Sequence, residues 1–265
     1  MCAMAFGCVP VLAATPLPDA PVPVAAASAP VRSWPSDLPE SRQAVTARNA
    51  PMQVIHQQGA IWTSPLRIRA HDLIWLAPMA AATGAAIATD HRAMTDVVSQ
   101  DPTFNQDNVN VSDGLIGGFL GAPVALYGWG LMEHDPHAHE TGILGSEAIV
   151  DAAVVDEGLK LVFWRERPAL DNARGHFFTG NAGGDSSFPS MHATLAWSSA
   201  AVLAGEYPTW WKQVGIYSAA SAVSLTRVLG RQHFPSDVIA GSAVGWLIGH
   251  YVYRHYHRWA RRHGR

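Results

Sequence analysis

The chain has 265 residues, 48% of them apolar, with 18 Lys and Arg against 21 Asp and Glu. This is enough apolar material for one well-buried core plus appended segments. The net charge of −3 and the pI near 6.5 argue against nucleic acid as a partner. The only cysteines, Cys2 and Cys8, fall in the first ten residues, so a chain processed beyond them has neither a disulfide nor a thiolate metal site.

Residues 1–14 are apolar and end in Leu12-Ala13-Ala14, which reads as the core and cleavage zone of a secretory signal without its usual basic start. Residues 15–70 form a Pro- and Ala-rich N-terminal arm with no helical or strand period up to about residue 50, and a short helix is expected over 52–70. The main domain is expected over 71–256, followed by a basic tail, 257–265, at the end of an Arg- and His-rich run from Arg254. That run is either a solvated helix end or a contact for acidic lipid headgroups.

Within 71–256, apolar and small residues cluster over 72–88, 113–132, 143–165, 191–205, 212–229 and 236–256, and β-branched alternation is nearly absent. The expected fold class is therefore all-α, with six helices; their arrangement as a bundle is what the family resemblance given below implies. Asp72, Ser112 and Ser190 are the expected N-caps, and Pro235-Ser236-Asp237 opens the last helix. The stretch holding His134, His137 and His139 reads as a polar loop, and the Gly-rich run 175–187 as another. Overall mean hydropathy, +0.05, is low for six membrane spans. The reading favours a periplasmic or envelope enzyme that associates with the membrane, with an integral form as the alternative.

Three ordered clusters carry the chemistry: Lys160-x6-Arg167-Pro168, Pro189-Ser190-Met191-His192, and Arg227-x5-His233-x3-Asp237. Phosphoryl transfer needs positioning and charge stabilisation on the equatorial oxygens. Arg167 and Arg227 offer planar forks for those oxygens, and Lys160 adds a point charge. Ser190, opening a helix, adds a hydroxyl and free backbone N–H groups. One histidine then serves as nucleophile and the other as general acid. Asp237, one helical turn after His233, is placed to orient that imidazole. Lys160 and Lys212 are the only lysines in the chain, so a lysine at this spacing is not readily a coincidence.

Over roughly residues 143–253 these clusters resemble the signature of the type-2 phosphatidic acid phosphatase superfamily, which includes lipid phosphate phosphatases, class A acid phosphatases and vanadium haloperoxidases. The resemblance implies His233 as nucleophile, His192 as the acid for the leaving group, Asp237 as the orienter of His233, and Lys160, Arg167, Ser190, Met191 and Arg227 as the phosphate cradle. Met191 and Thr226 depart from the pattern's Gly and Ser; Met191 keeps a backbone N–H but adds a side chain at the pocket. The implied activity is a metal-independent phosphatase of monoesters or diphosphates, on small molecules or lipids, through a phosphohistidine. No cofactor is expected, and vanadate is expected to inhibit. The alternatives are a haloperoxidase that uses vanadate as cofactor, and a non-catalytic envelope-binding protein on the same scaffold.

Overall fold

The computed structural model describes residues 47–180 and 186–256. The signal-like segment 1–14, the arm up to residue 46 and the tail 257–265 lie outside the described residues. The described chain is all-α: α1 (Ala50–Thr63), α2 (Leu73–Arg92), α3 (Pro102–Met132), α4 (Pro136–Phe163), α5 (Met191–Glu206), α6 (Trp210–Leu229) and α7 (Pro235–Tyr256). The first of these lies in the region expected to hold a short leading helix, and it packs on α4. There Gln57 donates to the Glu147 carboxylate at 3.0 Å and Gln58 to that of Asp151 at 2.8 Å.

Two boundaries differ from the sequence expectation. Ser112 is not an N-cap: α3 starts eleven residues earlier, at Asp101-Pro102, where the Asp101 carboxylate accepts from the N–H of Thr103 at 2.7 Å and of Phe104 at 3.1 Å. Residues 102–112 are helix, and Ser112 is buried within it. Likewise the His137–His139 stretch is the first turn of α4, capped by Asp135, whose carboxylate accepts from the N–H of His137 at 2.9 Å. His137 pairs with Glu206 at 3.0 Å, tying the start of α4 to the end of α5.

The central helix is α5, whose buried small residues, Ala193, Ala196, Ala200 and Ala201, let α3, α4, α6 and α7 close around it. Its tightest neighbour is α7. Gly245 and Gly249 lie so close to the carbonyls of Thr194 and Ser198 that a Cβ at either position would collide with backbone. Because helices alternate in direction, the end of α4, the start of α5, the end of α6 and the start of α7 meet at one end of the bundle. All three sequence clusters sit at those four helix ends.

Among the described residues, the outer helices α2 and α3 each leave an apolar face uncovered. Along α2, Leu73, Ile74, Trp75 and Ile87 are exposed, and along α3 so are Val111, Leu120, Val124, Trp129, Leu131 and Met132. The helical stretches 70–97 and 102–132 are long and apolar enough to cross a membrane, and only 6% and 22% of their most apolar windows are buried. A soluble core helix passes the same test of composition; among the described residues α3 buries one face, with Ile116 and Phe119 in the core, while most of both apolar windows is uncovered.

Candidate active site

His233 lies in the turn between α6 and α7 and is 1% exposed. Its Nδ1 is 2.8 Å from the Ser187 carbonyl oxygen, so Nδ1–H donates there and Nε2 keeps the lone pair. Burial pushes its pKa down, and the nearby Asp237 carboxylate opposes that shift; Arg167 and Arg227 reinforce it. At neutral pH this histidine is an uncharged base within the field of two arginines.

Asp237, in the first turn of α7, is 3.6 Å from His233 Nδ1, an ion-pair separation rather than a hydrogen bond. Its Oδ2 accepts from the Ser187 hydroxyl at 2.5 Å and the Phe234 N–H at 2.8 Å, and its Oδ1 from Arg165 at 2.5 Å. It therefore anchors the turn that carries His233 as well as lending it a negative charge.

Arg165 is a participant that the sequence reading missed. It is 1% exposed, and its guanidinium donates to Gly175 O, Ser236 Oγ, Asp237 and Asp90, the last at 2.7 Å. The rings of Phe177 and Phe234 lie 4.5 Å and 4.1 Å from the guanidinium carbon. With its donors committed this way, Arg165 supports the turn that carries His233. Asp90, from α2, also accepts from the N–H and hydroxyl of Ser236.

The residues expected to cradle phosphate are tied to the same framework. Lys160, near the end of α4, is 3.4 Å from the buried Asp156 carboxylate, which accepts from Thr194 of α5 at 2.7 Å. Arg167 donates to the Gln232 carbonyl at 3.0 Å, next to His233. Ser190 occupies the N-cap position of α5 and its N–H donates to the Asp237 carbonyl at 3.1 Å. Its hydroxyl is buried and makes no hydrogen bond to the described residues, which leaves a donor for a ligand oxygen. Met191 follows as the first, half-buried residue of α5. Arg227, in the last turn of α6, is 7% exposed.

His192 and Arg227 share a partner that no motif announced. Asp113 of α3 places Oδ1 3.1 Å from His192 Nε2 and 3.3 Å from Arg227 Nη1. Burial first, and then the Arg227 charge, lower the His192 pKa to about 4, while Asp113 pulls it upward.

The structure thus brings the eight positions singled out in the sequence to one end of the bundle and adds Asp90, Asp113, Arg165 and Ser187. Among the described residues, Glu166, Asp171 and His176 also bring possible metal-ligand atoms within 4.8 Å of one another, on the largely exposed loop after α4. His176 and Asp171 already form an ion pair there at 3.3 Å.

Residues 141–261 match the family model of the PAP2 superfamily. It is 36% identical over 69 residues to a lipid A 1-phosphatase of Porphyromonas gingivalis, covering 25% of this chain and 16% of that protein. A lipid A 4'-phosphatase of the same organism is 35% identical over 81 residues, covering 29% and 33% of the two chains. A lipid A 1-phosphatase of Rhizobium etli is 35% identical over 101 residues, covering 37% and 42%. The matches thus span less than half the length of each of these curated relatives. A transmembrane PAP2-type phosphatidylglycerolphosphate phosphatase from Bacillus subtilis aligns with TM-score 0.43 at 19% identity, over 77% of this chain and 92% of that one.

Proposed function

We propose that this chain is a metal-independent phosphatase that removes phosphate from lipid-linked substrates through a phosphohistidine on His233. The observation that carries this reading is the state of His233: buried, held at Nδ1 by the Ser187 carbonyl, and biased toward the neutral form. Its Nε2 lone pair attacks phosphorus as the bond to the leaving oxygen breaks, and His192 gives that oxygen a proton. Water then attacks the phosphohistidine, returning its proton to His192 and releasing phosphate. Arg167, Arg227 and Lys160 neutralise the equatorial oxygens, with the Ser190 hydroxyl and the Met191 N–H as neutral donors.

The lipid-linked substrate class draws on the lipid A phosphatases to which the chain is similar. It also draws on the bare apolar faces of α2 and α3. These faces shift the sequence-based preference for a peripheral protein toward one in which α2 and α3 enter the bilayer, with the catalytic end at the periplasmic surface. The sequence expectation assumed that helices of modest hydropathy bury against one another; α2 and α3 do so on one side and leave the other apolar face uncovered among the described residues.

The test is acid-labile labelling. Brief reaction with a 32P-labelled lipid phosphate should yield a phosphoenzyme that is stable in base. Replacing His233 with Ala should abolish the label and phosphate release together. Normal turnover by His233→Ala would sink the assignment.

A further inference from the structure

The phosphate cradle has a carboxylate built into one side. Asp113 belongs to α3, which supplies none of the motif residues, and 56% of its side chain is exposed. One oxygen, Oδ1, touches both His192 Nε2 at 3.1 Å and Arg227 Nη1 at 3.3 Å. In the reaction proposed above, His192 serves the leaving oxygen and Arg227 grips the phosphate. A negative charge between them therefore lies on the leaving-group side of phosphorus.

We propose that Asp113 selects substrates by the charge of the leaving group: it favours phosphate monoesters of neutral, hydroxyl-bearing alcohols and disfavours diphosphates. This rests on the phosphatase reading of the same site. A neutral alcohol leaves the carboxylate undisturbed, and neighbouring hydroxyls can donate to it. A diphosphate brings a second phosphate anion to within a few ångströms of a fixed like charge. Such a contact in a partly exposed site reduces the rate constant or affinity by roughly tenfold. The other charges acting on His192 are Arg227 of α6 and His233 of the catalytic turn, and neither repels a second phosphate.

The experiment compares the full-length protein in detergent with Asp113→Asn, an isosteric change at a largely exposed side chain. The readouts are kcat/KM for decyl phosphate and decyl diphosphate, and calorimetric Kd for orthophosphate and methylenediphosphonate. Asp113→Asn should move the kcat/KM ratio about tenfold toward the diphosphate. It should also tighten methylenediphosphonate about tenfold relative to orthophosphate. Unchanged ratios would overturn the proposal. So would equal losses on both substrates, which would mean that the carboxylate only props His192. If the unaltered protein turns over neither substrate, the calorimetry still decides. Selective tightening in Asp113→Asn would then uphold charge selection while sinking the reaction, and no binding of either anion would sink both.

Discussion

The Nδ1 proton of His233 goes to the Ser187 carbonyl at 2.8 Å, and the Asp237 carboxylate stands 3.6 Å away. The tautomer of the proposed nucleophile is thus set by a backbone oxygen, and Asp237 acts on it through charge and through the turn it anchors. Asp237→Asn should therefore keep the correct tautomer and lose the stabilisation of the imidazolium. We expect kcat to fall by roughly 10- to 100-fold, about 1.4–2.7 kcal/mol, short of the loss in His233→Ala. Pre-steady-state phosphoenzyme formation would check this, and an Asn variant as inert as His233→Ala would refute it.

Arg165 and Arg167 are separated by one residue and should behave differently. Removing the Arg165 guanidinium strands two buried carboxylates, Asp90 and Asp237. Arg165→Met should cost about 3–5 kcal/mol of stability, visible as a large drop in Tm. Arg167→Met should leave Tm nearly unchanged while raising KM and the Ki for phosphate. Similar thermal profiles for the two variants would contradict the division of labour.

The histidines give a signed pH prediction. In the free protein His192 titrates at about 4, below its ordinary value of 6.5. With a poor leaving group, which needs the protonated acid, kcat/KM should fall as pH rises above roughly 4–5; with a good leaving group such as p-nitrophenolate that limb should be shallow. Because the folded state disfavours the charged imidazole, this site carries no stability penalty above pH 6.5 and an increasing one as pH falls toward 4. Denaturant titrations of the unaltered protein and His192→Asn across that window would detect the difference. A penalty that grows with rising pH would have the wrong sign.

Charge neutralisation by Arg167, Arg227 and Lys160 leads us to expect full activity after dialysis against EDTA. Orthovanadate should inhibit competitively, since its five-coordinate adduct with a histidine imitates the transition state. Activity lost to EDTA and restored by zinc or magnesium would count against the mechanism.

The bare faces of α2 and α3 should keep the protein in membranes during high-salt and carbonate washes, with detergent needed for release. Clean release by carbonate would return the reading to a peripheral protein held by surface charge.

Much of this site could be read from residue order alone, because the functional groups cluster at helix ends and local spacing fixes what a helix end presents. Ser190 before an apolar run and Asp237 one turn after His233 are signals of that kind. Asp90, Asp113 and Arg165 gave no such signal. They reach the site through pairings across 75 residues for Asp90 with Arg165, 79 for Asp113 with His192 and 72 for Arg165 with Asp237. No local periodicity encodes such contacts. The Ser187 carbonyl was equally invisible, since any residue could supply it. The start of α3 was misplaced for a different reason: its Asn- and Asp-rich first turns look like loop, yet the capping Asp101 and the following Pro102 are strong helix openers.

The close backbone seam between α5 and α7 has a mechanical consequence. With Gly245 and Gly249 lying against the carbonyls of Thr194 and Ser198, and the Ser190 N–H fastened to the Asp237 carbonyl, the two helices behave as a single casting that holds the proposed nucleophile His233 and the proposed oxyanion cradle in fixed relation. Asp113 rides on a separate beam, α3. On the proposed reading, a small slide or tilt of α3 would change both what stands opposite the leaving group and the charge felt by His192, while the α5–α7 pair stays still.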